Sequence, residues 1–354
     1  MSELPINEWS EKPIRIAGGG LAGLSLGVGL ARQGIAVELS EAGDYPRHRV
    51  CGEFISGVSK STLESLGIAG CLDDAVSCQT TAWFDGVREI SRRQLPEPAL
   101  GISRYRLDAR LVNALREAGG TVHTKVRERL EEWTATAENR VLASGRVRQR
   151  GNWVGIKSHF LGLDMEADLE MHLGRDGYLG LAKIEEGRTN ACGLFRVGTG
   201  DEVGRDLAEL CQSRGLTELA ARMRCGEPDP ESFCSVAGIG FGWQRGDQEL
   251  SKTGPLVVGD RLALIPPFTG NGMTMAFQSA ELALESLLAG RASNARWGDM
   301  VDNYSDSAQK RFGRRLGIAS ALHPALVNPG GQGTLSLLSR SQLLPFSLLY
   351  RLLR

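Results

Sequence analysis

Three glycines near the N-terminus have the spacing Gly18-x-Gly20-x-x-Gly23. They follow a short β-branched segment and open an apolar segment with helical patterning. In such a turn the first glycine permits a tight bend, the second lets the backbone approach a pyrophosphate, and the third lets the helix pack on the strand. Glu41 follows the next predicted strand, where a carboxylate can accept hydrogen bonds from ribose hydroxyls. The spacing favours a dinucleotide site over an ordinary glycine-rich turn.

A second glycine-rich segment, GDRLALIPPFTGNGM, lies far downstream. Its Asp260 follows a predicted strand and can hydrogen-bond a sugar-alcohol chain. Gly270, Asn271 and Gly272 open a long predicted helix. The amides of Gly272 and Met273 would therefore stabilise negative charge on a ring carbonyl, because helix N-termini favour anions. One dinucleotide motif and a distant second helix start indicate a large cofactor held at both ends, which describes FAD better than NAD.

The segment RVCGEFIS places a thiol and a carboxylate in a stretch with little strand or helix patterning. Cys51 would need a lowered pKa to act as a nucleophile, and the sequence shows no base assigned to it. A packing or shape-setting role for Cys51 is therefore favoured. Glu53 is a candidate proton donor, although a solvated carboxylate is the preferred interpretation. Both remain candidate catalytic residues.

The elements that must position these residues follow from periodicity. A strand over residues 14–17, a helix ended by Gly34 and a strand over residues 35–39 form a predicted βαβ unit. The proline-containing segment SRRQLPEPALG is predicted as a loop. From about Trp153 the pattern changes to twofold alternation, which indicates an antiparallel sheet in the middle of the chain. The helix that follows Gly272 is expected over residues 273–288.

Composition limits the kind of partner. The 354 residues carry 41 basic and 42 acidic side chains, so no global field recruits nucleic acid. The seven cysteines contain no C-x-x-C pair, and His159 and His172 lack a metal-ligand spacing. We therefore predict free thiols, no metal site and structural roles for both histidines. The N-terminal residues lack the basic region of a secretory signal, and the protein is expected to be cytoplasmic.

The C-terminal sequence TLSLLSRSQLLPFSLLYRLLR alternates apolar residues with arginines and is interrupted by a proline. It is too broken to span a bilayer, which requires about 20 apolar residues. A helical hairpin packed on the body of the protein is the preferred interpretation. The alternative is a basic amphipathic segment that contacts the membrane surface peripherally.

The two glycine motifs, with SRYRLDARL between them, resemble the flavoprotein superfamily of para-hydroxybenzoate-hydroxylase-type monooxygenases, geranylgeranyl reductases and flavin-dependent halogenases. The resemblance covers residues from about 14 to 290. PRHRVCGEF is similar to the P-x-x-K-x-C-G segment of the geranylgeranyl-reductase branch, which runs past the flavin. It implies that Cys51 lines the flavin or substrate cavity.

The resemblance also implies roles for the remaining site residues. Arg104 would lie near the cofactor and Asp260 on the ribitol, with the segment from Gly270 to Met273 beside the pyrimidine ring of the flavin. The full set of predicted cofactor-binding residues is Gly18, Gly20, Ala22, Gly23, Glu41, Arg104, Asp260, Gly270, Asn271, Gly272 and Met273. Phe54, Phe268 and Tyr178 are expected to line an apolar substrate pocket.

The predicted fold is α/β, with a Rossmann-like GxGxxG-type FAD-binding domain, an inserted antiparallel substrate sheet and a short helical C-terminal segment. The FAD domain is expected to be discontinuous, with segments 12–75, 100–150 and 252–322. Residues 76–99 and 151–251 would form the substrate domain, and residues 323–354 the C-terminal segment.

The predicted function is that of an FAD-dependent oxidoreductase, monooxygenase-like, which acts on an apolar small molecule through reduced flavin. A flavin reductase or dehydrogenase of the geranylgeranyl-reductase type, acting on a C–C bond of a lipid-like substrate, is the alternative within this class. Its usual central aromatic motif is degraded here, with only Tyr178 retained. The alternative from another class is a non-catalytic flavin-binding protein.

The electron donor is also left open. Gly198 and Gly200 form a second glycine pair, but Asp201 and Glu202 would repel phosphates there, so an ordinary helix cap is expected. NADH or NADPH would then bind transiently, or a separate reductase would supply the electrons.

Overall fold

A computed structural model describes residues 8–129, 133, 137–149, 151–198, 204–244, 254–341 and 346–353. Five of its strands form a parallel sheet in the order β14-β7-β1-β2-β6. These strands are β1 (Ile14–Ala17), β2 (Val37–Glu41), β6 (Thr121–Thr124), β7 (Arg140–Leu142) and β14 (Leu256–Val257). The sheet carries the N-terminal glycine turn at the end of its central strand.

Eight further strands form a second sheet in the order β12-β8-β11-β10-β9-β4-β5-β3, with antiparallel pairs except for β4 and β9. They are β3 (Phe54–Ile55), β4 (Val76–Asp85), β5 (Arg88–Gly101), β8 (Trp153–Leu161), β9 (Leu169–Gly174), β10 (Gly177–Lys183), β11 (Arg188–Arg196) and β12 (Glu227–Ala237). A short antiparallel pair joins β13 (Gly242–Trp243) to β15 (Ala263–Leu264). The predicted α/β class with a central antiparallel sheet is therefore confirmed.

Some helices pack on the parallel sheet and others on the antiparallel sheet. They are α1 (Leu21–Arg32), α2 (Lys60–Ser65), α3 (Arg104–Glu117), α4 (Leu207–Ser213), α5 (Thr217–Cys225), α6 (Gly272–Ala292), α7 (Trp297–Val327), α8 (Pro329–Arg340) and α9 (Phe346–Leu352). Short 3-10 turns occupy Glu8–Ser10, Ala69–Leu72, Glu185–Gly187, Gly259–Arg261 and Pro267–Thr269. Helix α1 is buried along nearly its whole length between the sheet and helices α3 and α6, so the main core lies around the glycine turn.

The prediction of a loop at SRRQLPEPALG is wrong, because this segment belongs to the long strand β5. Its register against β4 shifts between the pair Cys78–Ala99 and the pair Thr80–Gln94. The prolines at 96 and 98 fall within that irregularity. On its other side β5 pairs only with the two-residue strand β3, so most of it is an edge strand. Proline is tolerated at edges and bulges because no ladder hydrogen bond is lost there.

Other boundaries shift by a few residues or more. The second strand is Val37–Glu41 rather than residues 35–39, and helix α6 extends from Gly272 to Ala292. Helix α7 continues through residue 323, where the C-terminal segment was expected to begin. The cap predicted at Asp201 lies outside the described residues.

Helix α8 packs on the body of the protein, as the preferred interpretation of the C-terminus required. The Gln332 amide donates to the carbonyl of Gly174, and the Ser339 hydroxyl donates to the carbonyl of Ile90. No helix within the described ranges is long and apolar enough to cross a membrane.

Candidate cofactor and substrate site

The glycine turn between β1 and α1 has the geometry that its spacing requires. Gly18 has φ +114°, and a Cβ there would lie 2.2 Å from the carbonyl oxygen of Ala143. A Cβ on Gly23 would lie 2.1 Å from the carbonyl oxygen of Gly18, so this glycine permits close packing of helix on strand. A Cβ on Gly20, in contrast, would meet no atom within 4 Å. Gly18 and Gly23 are therefore needed by the fold itself, whereas Gly20 borders open space.

Glu41 lies beside this turn and is only 4% exposed. It accepts hydrogen bonds from the amides of Gly19 and Gly43, both at 2.8 Å. Arg47 contacts it at 2.6 Å and Arg49 at 3.5 Å. Burial acts to raise the pKa of Glu41, but the Gly43 amide and the two arginines outweigh it and hold that pKa below its usual range. Glu41 is therefore a fixed carboxylate at the predicted ribose position.

Two arginines share one buried carboxylate next to this point. Asp108, on helix α3, accepts from Arg49 at 2.9 Å and from two nitrogens of Arg104 at 2.8 and 3.0 Å. Burial opposes the charge on Arg104, but Asp108 outweighs it and the pKa of Arg104 is raised. Arg104 also lies beside the thiol of Cys51. Arg104, predicted to lie near the cofactor, lines the cavity, and two of its nitrogens are engaged by Asp108.

The downstream motif meets the first motif directly. Gly259 has φ +64°, and a Cβ there would lie 2.7 Å from the Cβ of Ala22 in helix α1. The next residue, Asp260, is exposed and lines the cavity. Gly270 has φ +67°, and a Cβ on Gly270 would lie 2.3 Å from the ring of Phe54. Residues from the two distant motifs therefore form one wall.

The start of helix α6 is exposed to the same space. Gly272 and Met273 both line the cavity, and a Cβ on Gly272 would meet nothing within 4 Å. Asn271 is 1% exposed and donates to the carbonyl of Thr269 at 2.9 Å, so it shapes the turn rather than lining the cavity. Free amides at the first turn of a helix of 21 residues favour negative charge in front of them.

Most of the predicted cofactor-binding residues border one cavity of about 780 Å³, and the exceptions are Gly23 and Asn271. One end is lined by Gly18, Gly20 and Glu41, and the middle by Asp260 and Arg104. The other end is formed by the antiparallel sheet. Its lining residues there are Met171, Tyr178, Gly180, Cys192, Leu194, Cys234, Val236, Ile239 and Phe241. The cavity therefore connects the predicted nucleotide end with an apolar chamber.

Phe54 and Tyr178 line the cavity, as predicted for the substrate pocket, but Phe268 does not. Its ring lies 6.2 Å from the ring of His323, in a cluster that also includes Phe241. Tyr178 is 3% exposed, and burial raises the pKa of its hydroxyl far above the usual value, so it stays neutral. The chamber thus has a neutral, mostly apolar wall with Phe268 behind it.

The expectation of a solvated Glu53 is wrong, because the side chain is fully buried. Its carboxylate lies 3.0 Å from Lys157 Nζ and 2.5 Å from His159 Nε2, and it accepts from the amide of Arg104 at 2.9 Å. Burial would raise the pKa of Glu53, but the hydrogen bond from His159 and the charge of Lys157 hold it below its usual range. Sequence reasoning missed this network.

Cys51 borders the cavity, and burial raises the pKa of its thiol. A thiol with a raised pKa is a poor nucleophile at neutral pH. The carbonyl of Cys51 accepts from the Asn190 amide at 2.9 Å, which ties the RVCGEFIS segment to the antiparallel sheet. These contacts favour a shape-setting role.

The buried network includes two residues that alternate on one strand. Lys157 and His159 are two positions apart on β8, so both side chains leave the same face of the sheet. Lys157 also contacts His48, whose Nδ1 lies 3.1 Å from Lys157 Nζ. A lysine and a histidine at this spacing, in a strand whose other residues are mostly apolar, were the signal available in the sequence.

No protein-family model matches the sequence, and no match to a curated protein was found. Solved structures do match over nearly the whole chain, and it shares its fold with a probable FAD-dependent monooxygenase, a p-nitrophenol 4-monooxygenase and a geranylgeranyl bacteriochlorophyll reductase-like protein. The superfamily resemblance inferred from the glycine motifs is therefore confirmed at the level of the fold.

Three of these structures illustrate the similarity. PqsL of P. aeruginosa, in complex with 2-aminobenzoylacetate, has 14% identity and a TM-score of 0.69, with 91% of this chain and 98% of that one covered. The p-nitrophenol 4-monooxygenase PnpA of Pseudomonas putida DLL-E4 has 14% identity, a TM-score of 0.71 and coverage of 97% and 96%. A geranylgeranyl bacteriochlorophyll reductase-like protein of Thermoplasma acidophilum has 18% identity, a TM-score of 0.67 and coverage of 94% and 92%.

Proposed function

We propose that the protein is an FAD-dependent oxidoreductase of the monooxygenase type, acting on a largely apolar small molecule. The observation that carries this proposal is the single cavity that runs from Gly20 and Glu41 to the apolar chamber at Tyr178. Such a cavity can hold a dinucleotide and a substrate in contact with each other. The similarity of fold to two monooxygenases supports the same conclusion.

The residues present fit FAD. Gly20 and Gly272 each leave open space where a side chain would project, one at the predicted pyrophosphate and the other at the predicted ring. The described lining residues also carry more positive than negative charge, which suits a pyrophosphate. The arginines are 47, 49, 104, 127, 146 and 148, and the carboxylates are Glu41, Glu128 and Asp260.

Each part of the cavity would then have a distinct task. Glu41 would accept hydrogen bonds from the adenosine ribose and Asp260 from the ribitol chain. The amides of Gly272 and Met273 would stabilise negative charge on the flavin ring. The apolar wall around Tyr178 would exclude water from the reacting atoms. FAD would supply the electron transfer and, when reduced, the reaction with O₂.

Electrons would come from NADH or NADPH bound transiently, or from a separate reductase. The first experiment is an absorbance spectrum of the purified protein supplied with FAD, followed by anaerobic addition of NADH or NADPH. Flavin bands that bleach would support a self-sufficient enzyme. Bands that persist would point to a partner reductase, and the absence of bands would refute the cofactor assignment.

Oxygen consumption separates the proposed reaction from its alternatives. A monooxygenase couples O₂ uptake to a product oxygen atom, so uptake should rise when an accepted substrate is added. A C–C bond reductase of the geranylgeranyl-reductase type would form product without oxygen. A non-catalytic flavin protein would show flavin reduction and reoxidation at rates that no ligand changes.

A further inference from the structure

His48 lines the cavity and is connected to the buried network around Glu53. The order of contacts is His48, Lys157, Glu53 and His159, with separations of 3.1, 3.0 and 2.5 Å. Lys157, Glu53 and His159 are at most 1% exposed. His48 is the only one of the four that borders the cavity, so the network meets the ligand space at this imidazole.

A buried ion pair of this kind does little for stability. Burying two charges carries a desolvation penalty that often exceeds their attraction, and apolar residues of similar size commonly serve a fold equally well. Charged groups held beneath a cavity are a recurrent feature of functional sites. The position of Lys157 and Glu53 behind a cavity-lining histidine is therefore the informative observation.

The contact with Lys157 determines which nitrogen of His48 carries the proton. A lysine ammonium has only donors, so His48 Nδ1 must accept from it. The proton of the neutral imidazole then resides on Nε2, and no described residue pairs with that nitrogen. Burial, together with the charge of Lys157, lowers the pKa of His48 to about 4, which keeps the ring neutral at pH 7.

The surroundings of His48 hold the ring in place. It stacks on Tyr105 with ring centroids 4.6 Å apart and lies edge-on to His159 at 5.1 Å. The titratable groups that act on it are Lys157, His159, Glu53 and Asp229. Glu53 in turn fixes Lys157, and its own backbone, with φ 56°, is held by a hydrogen bond from the amide of Ile102 to its carbonyl.

We propose that His48 donates a hydrogen bond from Nε2 to an oxygen atom of the substrate, and that Lys157 and Glu53 are positioning residues that fix this tautomer. The substrate is then an apolar molecule with a carbonyl or phenolic oxygen. The positive charge of Lys157, acting through the imidazole, would stabilise negative charge on that oxygen. This inference rests on the proposed function, because it assumes that the cavity lined by His48 takes a substrate beside the cofactor.

The test uses 4-nitrophenol bound to the FAD-loaded protein, because its absorbance reports ionisation of the phenol. The wild type should lower the pKa of the bound phenol relative to the free one. His48→Asn keeps an acceptor for Lys157, but its shorter side chain has no donor at the Nε2 position, so the pKa of the bound phenol should rise by about one unit or more. His48→Gln places an amide donor near the Nε2 position without the contact to Lys157 and should give an intermediate value.

The matched control is His172→Gln, a buried histidine of the same sheet that does not line the cavity and is paired with Glu170. Its bound phenol should titrate as in the wild type. An unchanged pKa of the phenol bound to His48→Asn would overturn the inference. A wild-type protein that binds nitrobenzene but not 4-nitrophenol, or that binds neither compound, would also overturn it. The flavin spectrum of the same samples separates the two levels: lost FAD counts against the proposed function, whereas retained FAD with an unshifted phenol counts against His48 alone.

Discussion

Replacing Gly20 by alanine tests the cofactor assignment most directly. Gly20 has φ −88° and ψ −174°, a conformation that alanine adopts readily, and its Cβ would meet no protein atom within 4 Å. The free energy of unfolding should therefore change by less than about 1 kcal/mol. The new methyl group would instead occupy the space through which the backbone approaches the pyrophosphate.

The expected loss concerns FAD alone. Displacing a charged phosphate from the amides at the start of helix α1 forfeits hydrogen bonds to a charged group, each worth roughly 1.5–3 kcal/mol. One such loss weakens FAD binding about 10-fold to 150-fold. Fluorescence titration gives the dissociation constant of FAD, and thermal unfolding of the apoprotein gives the stability.

Two other glycines serve as controls. Gly317→Ala lies in helix α7 with open space around its Cβ, so it should stabilise the protein by up to about 1 kcal/mol and leave FAD binding unchanged. Gly23→Ala places its Cβ 2.1 Å from a backbone oxygen and should lower stability together with FAD binding. If Gly20→Ala binds FAD within twofold of the wild type, the pyrophosphate does not lie at this turn.

Four further predictions follow from the same contacts. Glu53→Gln should lower the free energy of unfolding by roughly 3–5 kcal/mol, because Lys157 would stay buried without its partner. Urea unfolding measures this loss, and adding Lys157→Met should recover part of it. A cost below about 1 kcal/mol would contradict the ion pair. Iodoacetamide at pH 7.5 should label the exposed Cys225 well before Cys51, because burial raises the pKa of the Cys51 thiol. Cys51→Ala should leave the flavin spectrum unchanged, whereas preferential labelling of Cys51 would show a reactive thiol. Burial acts to raise the pKa of Glu170, but His172 and Arg222 outweigh it and lower that pKa to about 2. The contribution of Glu170 to stability is therefore full above its unfolded pKa near 4.5 and is lost as the pH falls towards 2. Glu170→Gln should flatten the acid limb of the profile of stability against pH, and an unchanged limb would exclude this carboxylate. Leu337 and Leu348 are 67% and 55% exposed on the C-terminal helices. The chain should therefore co-sediment weakly with anionic vesicles, and Leu337→Asp should reduce that binding. Equal sedimentation of the wild type and the variant would exclude a membrane contact through this surface.

Local patterns predicted the parts of the fold that depend on neighbouring residues. The strand Ile14–Ala17, the glycine turn and the start of helix α6 near Gly272 each follow from residues within one or two turns of the chain. Strand β5 was missed because its prolines are tolerated only at an edge with an irregular register, and that is a property of its partners.

The buried network was missed for a related reason. Glu53 and His159 are 106 positions apart, and Glu53 resembles a solvated carboxylate in isolation. The spacing of Lys157 and His159 places them on one face of a strand, but it does not reveal that Glu53 packs against them. The predicted nucleotide residues formed one wall because the glycine motifs constrain the backbone, whereas side-chain partnerships across the two sheets arise only from packing.

The order of strands in the parallel sheet has a consequence for how the chain folds during synthesis. Strand β14 pairs with β7, yet Leu256 is reached only after the strands of the antiparallel sheet have all been made. Helix α6, which packs on α1, emerges later still. The nascent chain therefore holds an incomplete parallel sheet. The edge of β7 that pairs with β14 and the face of α1 that packs on α6 are not both covered until synthesis has passed Ala292, about four fifths of the way along the 354 residues. Pairing of such distant segments folds slowly, so this interval is the one in which the chain most needs protection from aggregation.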